Sequence, residues 1–165
     1  MRSIKHKRRK QVSRPTRGFN GHLYDSQLEA AVSMVLEDQI KPLGGYHHGA
    51  VELAIKYQAG DGSNRWYVPD WQVTGHPKVL IEAKARVDQR TRNHLNAALR
   101  QGYRIGVVFP NARASELPLF QGADLSMGQW LQSHGIAYVT SPEGSLELLQ
   151  QLISTETAIS IEEIK

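Results

Sequence analysis

The chain has 165 residues, a length typical of one domain. It contains no cysteine, which excludes disulfides and thiolate metal sites, and it has no apolar run long enough to span a membrane. Its net charge of +4 conceals an uneven distribution, because residues 1–18 hold eight Lys and Arg and no acid, whereas the remainder holds 12 bases against 16 acids.

The first element is therefore a basic arm, residues 1–18, without apolar periodicity and predicted to be disordered. Its charge opposes that of the body, which favours contact with a polyanion such as DNA over a merely solvated tail. The arm residues predicted to contact DNA are Arg8, Arg9, Lys10, Arg14 and Arg17. A folded domain follows over residues 19–145, and residues 146–165 are predicted to form a C-terminal helix and an acidic tail.

The first part of the folded domain predicts one helix and three strands. Apolar residues at helical spacing between Leu28 and Leu36 indicate a helix over residues 26–39. Alternation predicts a strand over 51–57, and AGDGSN at 59–64 is typical of a hairpin turn. Two more strands, 65–73 and 78–84, are expected around a turn at residues 74–77.

The second part alternates helices with strands. A helix is predicted over 88–101, a central apolar strand over 103–109 and a helix over 127–134 with Ser126 as N-cap. A last strand over 136–140 and a small helix over 145–153 complete the order αβββαβαβ. This order predicts an α/β (α+β) fold in which helices flank a mixed central sheet.

Three charged residues interrupt the strands at 65–73 and 78–84. Glu82 and Lys84 are two apart and therefore project from the same face, and Asp70 on the preceding strand is within reach of Glu82. Neighbouring carboxylates repel unless a positive charge lies between them, and oxygen ligands suit Mg²⁺ or Mn²⁺. The alternative is a structural Glu–Lys pair, which is the commoner meaning of an isolated Glu-x-Lys.

Glu29 has two possible roles. The sequence Ser26-Gln27-Leu28-Glu29 matches a capping box, in which Ser26 and Glu29 bond each other's backbone N–H groups and start the helix. Nucleases that carry a Pro-Asp…Glu-x-Lys pattern also place a glutamate on the first helix near their metal site. Local sequence leaves the two roles open.

Several blocks together resemble the phage-type endonuclease I family, which resolves four-way (Holliday) DNA junctions. The resemblance covers about residues 19–140 and is strongest where no metal chemistry is involved, in the last block. The blocks are SQLEAAVSMVLE at 26–37, YVPDWQV at 67–73, VLIEAK at 79–84, RNHL at 92–95, YRIGVVF at 103–109 and LFQGADLSMGQWLQSHGIAYV at 119–139.

The resemblance implies a restriction-endonuclease-like fold and a catalytic set of Glu29, Asp70, Glu82 and Lys84. Asp70, Glu82 and the carbonyl of Ala83 would bind one Mg²⁺ or Mn²⁺, and Glu29 would help to hold a second. Lys84 would position the attacking water or stabilise charge. The family acts as a homodimer with exchanged strands on branched DNA in the cytoplasm of a phage host, although the hairpin turn at 59–64 argues against exchange here.

The sequence leaves other functions and other residue roles open. The same pattern occurs in nucleases that cut linear duplex, and the basic arm alone would suit a non-enzymatic DNA-binding protein. Arg90 and Arg92 on the helix at 88–101 are candidates for phosphate contacts, or part of a solvated face. His47-His48 is expected to be an inert loop pair, and Trp66 and Trp71 are expected in the core.

Overall fold

The structure, a computed structural model, describes the backbone of residues 16–17, 23–43 and 53–162 and the side chains of residues 23–43 and 53–155. Arg8, Arg9, Lys10, Arg14 and His47-His48 lie outside these ranges, and only the backbone of Arg17 is described. Of the helices in these ranges, none combines the length and apolarity that a membrane crossing requires.

The described elements alternate short strands with helices. In chain order the strands are β1 (Thr16–Arg17), β2 (Leu23–Tyr24), β3 (Ile40–Pro42), β4 (Ile55–Gln58), β5 (Asn64–Tyr67), β6 (Trp71–Val73), β7 (His76–Ala83), β8 (Arg104–Val108) and β9 (Ala137–Val139), and the helices are α1 (Gln27–Leu36), α2 (Gln89–Arg100), α3 (Ala112–Glu116), α4 (Met127–Ser133) and α5 (Ser145–Glu162).

The central sheet has five strands in the order β3-β6-β7-β8-β9. β6 pairs antiparallel with β3 and β7, whereas β8 pairs parallel with β7 and β9, so the sheet is mixed. β4 and β5 form a separate antiparallel hairpin, as do β1 and β2. The protein therefore has a mixed α+β architecture.

Each face of the central sheet carries its own apolar core. Val79 and Ile81 of β7 pack in one core with residues of α1 and α5, and Leu80 packs in the other with residues of α2, α4 and the β4–β5 hairpin. All three side chains are fully buried. The period-two alternation of a strand thus sends Glu82 to the same side as Leu80, toward the hairpin.

Most predicted elements are present, with differences that have physical reasons. The strand predicted over 65–73 is divided, because β5 ends at Tyr67 and β6 begins at Trp71, with Pro69, which has no N–H for a ladder, between them. Residues 40–42 form an additional strand, and α3 is a short helix that the sequence did not predict.

The C-terminal helix is longer than predicted. It continues to Glu162, whereas the sequence predicted a small helix over 145–153 followed by an acidic tail. The guanidinium of Arg104 on β8 donates to the carbonyls of Leu152 at 3.1 Å and Thr155 at 3.0 Å, which ties the middle of α5 to the sheet. The hairpin turn predicted at 59–64 is confirmed, with Asn64 pairing with Gln58.

Candidate active site

Asp70 and Glu82 meet where β6 begins beside the end of β7. Trp71 of β6 pairs with Ile81 of β7, so the residues on either side of that pair, Asp70 and Glu82, are brought together. The backbone N–H of Asp70 donates to Glu82 Oε1 at 3.3 Å, and the N–H of Ala83 donates to Asp70 Oδ2 at 2.9 Å. The two carboxylates are therefore held by the backbone of the strands.

Lys84 lies between the two carboxylates. Its Nζ donates to Asp70 Oδ2 at 3.3 Å and lies 2.8 Å from Glu82 Oε2. The second contact is an ion pair without hydrogen-bond geometry, so Glu82 Oε2 is a buried oxygen with no hydrogen bond among the described residues. The sequence-based expectation that Glu82 and Lys84 share a face and that Asp70 reaches them agrees with this geometry.

Burial and neighbouring charges shift the pKa values of Glu82 and Lys84 in opposite directions. Complete burial raises the pKa of Glu82, and the Lys84 ammonium and the Asp70 N–H only partly offset this. Burial disfavours the charge of Lys84, but the carboxylates of Asp70 and Glu82 outweigh it and raise the pKa of Lys84. Lys84 thus stays protonated at neutral pH and provides the positive charge that the paired acids need.

Glu29 lies in the first turn of α1 and within electrostatic reach of the same cluster. Its N–H donates to Ser26 Oγ at 3.1 Å, and its carboxylate accepts from Ser26 Oγ and from the N–H of Asp25. The capping role is therefore present, with Asp25 in place of Ser26 as the backbone donor to the glutamate. Burial and the nearby charge of Asp70 raise the pKa of Glu29 to about 7.

The donor set fits a hard divalent cation in part. Asp70 and Glu82 offer carboxylate oxygens, which Mg²⁺ and Mn²⁺ prefer, and Glu82 Oε2 is a buried acceptor without a hydrogen bond. Within residues 23–43 and 53–155, no group of three or more His, Asp and Glu side chains is already arranged to hold a metal ion. Asp70 and Glu82 would hold the cation, with the Ala83 carbonyl beside them.

The two arginines of α2 differ in position. Arg92 is 8% exposed, and its guanidinium donates to the carbonyl of Val87 at 3.0 Å and to Gln89 Oε1 at 2.8 Å. These bonds hold Arg92 inside the domain, where it braces the start of α2. Arg90 is exposed in the first turn of α2, six residues after Lys84, and its charge acts on His94 one turn further along the helix, so it is the better candidate for a phosphate contact.

Sequence reasoning missed Tyr67 and its stacking partner His94, and it misplaced Trp66. Tyr67, at the end of β5, is buried, donates its hydroxyl to Glu82 Oε1 and stacks on His94 of α2. The available signal was a tyrosine in a predicted strand three residues before Asp70, since a buried tyrosine requires a partner for its hydroxyl. Trp71 is buried as expected, but Trp66 is 57% exposed because it lies on the opposite face of β5 from Tyr67, beneath the ammonium of Lys56.

Fold and site together define a mixed α+β domain in which a lysine bridges two carboxylates at the end of a buried strand. A scan against protein-family models finds no match to this chain, and a search of curated proteins finds no significant match either. The geometry of the site is therefore the basis for the functional proposal.

Proposed function

We propose that the protein is a Mg²⁺-dependent DNA endonuclease that hydrolyses phosphodiester bonds at four-way junctions. The observation that carries the proposal is the contact of Lys84 with both Asp70 and Glu82. A structural ion pair needs one acid, whereas two acids held by backbone bonds around one amine form a compact site suited to a cation and a phosphate.

The residues of the chain have distinct roles in this proposal. Asp70, Glu82 and the Ala83 carbonyl would hold one cation, and Glu29 would help to hold a second. When bound, such a cation supplies a Lewis acid that lowers the pKa of water and offsets phosphate charge. Lys84, kept protonated by its two acids, orients the attacking water and stabilises negative charge on the phosphate oxygens.

DNA binding is proposed to depend on charge that lies mainly outside the site. The basic arm holds eight Lys and Arg against a body with four more acids than bases, so it is the natural phosphate-binding segment. Arg90, whose charge acts on His94 as that of Lys84 does, is proposed to add a phosphate contact. No element of the described chain suggests base reading, and recognition is proposed to follow branch shape and backbone.

The proposed fold and assembly follow from the resemblance to the endonuclease I family. We propose a restriction-endonuclease-like core, in which β6 and β7 carry the Pro-Asp and Glu-x-Lys residues, and a C2 homodimer that places two sites on a nearly twofold-symmetric junction. The pairing of β4 with β5 inside one chain favours a dimer in which this hairpin is not exchanged. A cytoplasmic enzyme of a phage or prophage fits this activity.

The test compares cleavage of a labelled four-way junction with cleavage of its component duplexes, with Mg²⁺ and with EDTA. Paired, Mg²⁺-dependent nicks near the branch point are expected, with the duplexes intact. Equal cutting of the duplexes would instead indicate a nuclease for linear DNA. Junction binding without any metal-dependent nicking, in wild type and Lys84→Ala alike, would indicate a non-enzymatic DNA-binding protein.

A further inference from the structure

Tyr67 joins the β4–β5 hairpin to the candidate active site. It is the last residue of β5, pairs with Ile55 of β4 and is 3% exposed. Its ring stacks on His94 of α2, with centroids 4.6 Å apart and planes 18° from parallel. The phenol is thus fixed on both sides, by strand pairing and by the imidazole ring, and its hydroxyl donates to Glu82 Oε1.

This hydrogen bond determines which oxygen of Glu82 faces Lys84, whose ammonium lies 2.8 Å from Oε2. The terminal torsion of a glutamate is broad and roughly twofold, so an unrestrained carboxylate exchanges its two oxygens readily. At Glu82 the Tyr67 hydroxyl and the Asp70 N–H both donate to Oε1. Oε2 is left without a hydrogen bond and is directed to the side where Lys84 lies.

We propose that Tyr67 is a positioning residue that orients Glu82, so that Oε2 faces the cation and phosphate side of the site. The inference rests on the proposed function, since it concerns the same metal site. Removing a group that hydrogen-bonds to a metal ligand typically lowers metal affinity or activity about 10- to 100-fold. Tyr67 does not touch the reacting atoms, and its effect passes through Glu82.

The experiment uses Tyr67→Phe, which removes the hydroxyl and keeps the stacked ring. Tyr57→Phe is the matched control. Tyr57 lies on the neighbouring strand and makes an edge contact with the same His94 ring, with the two ring centroids 5.6 Å apart. Mn²⁺ affinity is measured by calorimetry without DNA, well below each melting temperature, and junction cleavage is measured over a range of Mg²⁺ concentrations.

We expect Tyr67→Phe to bind Mn²⁺ about tenfold more weakly and to need more Mg²⁺ for half-maximal cleavage, with unchanged KM for the junction. Tyr57→Phe should match wild type in all three. A merely structural role would lower the melting temperature of Tyr67→Phe and leave its Mn²⁺ affinity unchanged, and that result would overturn the proposal.

Failure of the nuclease proposal gives a different pattern. A wild-type protein that binds Mn²⁺ but cuts no DNA refutes the nuclease, while the affinities of the two variants still decide the role of Tyr67. A wild-type protein that binds no Mn²⁺ refutes both proposals. His94→Leu provides a second variant: it removes the stacked ring but keeps the phenol, so a smaller loss of Mn²⁺ affinity is expected, and wild-type affinity in both variants would refute the positioning role.

Discussion

Asp70 Oδ2 accepts the backbone N–H of Ala83 at 2.9 Å and the Nζ of Lys84 at 3.3 Å. This one carboxylate oxygen therefore accepts two hydrogen bonds, one from the backbone of β7 and one from the side chain of the residue that follows it. This arrangement ties the end of β7 to the segment before β6, so the cluster is part of the sheet itself. Substitutions in the cluster are thus expected to affect both chemistry and stability.

Lys84→Ala removes the positive charge that lies between two acids, one of them fully buried. We expect junction cleavage to fall at least about 100-fold, junction affinity to stay near wild type, and the free energy of unfolding to drop by up to about 3 kcal/mol without metal. Lys78→Ala is the control at the other end of β7, where Nζ donates to the Gln101 carbonyl at 3.2 Å. Retained cleavage in Lys84→Ala would contradict the site.

The two roles of Glu29 can be separated by substitution. Ser26→Ala removes the N-cap of α1 and should cost about 1 kcal/mol of stability while cleavage persists. Ser126→Ala, which removes the equivalent cap of α4 far along the chain, should cost a similar amount. Glu29→Gln should instead abolish cleavage with a smaller change in melting temperature. If Glu29→Gln cleaves as well as Ser26→Ala does, Glu29 is only a capping residue.

His94 is predicted to make stability depend on pH. Burial, Arg90 and Lys84 lower its pKa to about 4, and only Asp88 opposes them. The folded protein therefore binds this proton less readily than the unfolded chain. The contribution of His94 to the free energy of unfolding is therefore fully present above pH about 6.5. It decreases by about 1 to 2 kcal/mol, after allowance for solvent screening, as the pH falls toward 4.

The measurement is urea unfolding of wild type and His94→Gln between pH 4 and pH 7.5. The difference in unfolding free energy between the two proteins should shrink or reverse as the pH falls through this window. A constant difference across the window would show that His94 keeps its ordinary pKa in the fold. Carboxylates that titrate in the same window affect both proteins and cancel in the comparison.

Gly106 lies in the middle of β8, directly under α5. An added Cβ would come within 2.8 Å of Leu148 Cδ2 and of Leu152 Cδ1, so Gly106→Ala should destabilise the protein by about 1 to 3 kcal/mol. Gly60→Ala is the control, since a Cβ there meets nothing within 4 Å. Equal melting temperatures for the two variants would mean that α5 does not pack on β8 as described.

Deletion of residues 1–15 tests the basic arm and keeps β1, which begins at Thr16. It removes seven of the chain's 20 Lys and Arg. If half of these charges contact phosphates, the slope of log affinity against log salt should fall by about 3, since each contact contributes about 0.9. Gel-shift titrations with junction and duplex measure the slope, and an unchanged slope would show that the arm has no role in DNA binding.

Sequence predicted the proximity of Asp70, Glu82 and Lys84 better than the sheet around them. The side-by-side placement of Glu82 and Lys84 follows from strand periodicity alone, and the turn between β6 and β7 brings Asp70 to them. β3 was not predicted, because three residues that end in Pro42 carry no strand pattern, and their pairing with β6 is set by tertiary contacts. The exposure of Trp66 was likewise hidden, since composition favours burial of tryptophan whichever face it occupies.

The connection between the β4–β5 hairpin and the central sheet has a consequence for chain length. Only residues 68–70 separate Tyr67, the end of β5, from Trp71, the start of β6, and both Tyr67 and Asp70, the last residue of this connector, donate hydrogen bonds to Glu82. An inserted residue there would shift Asp70 out of register with Glu82, whereas the turn at residues 59–63 contacts neither carboxylate and can be lengthened freely. Natural variation in loop size at these two places is thus expected to be unequal, with the short connector fixed and the distal turn free to vary.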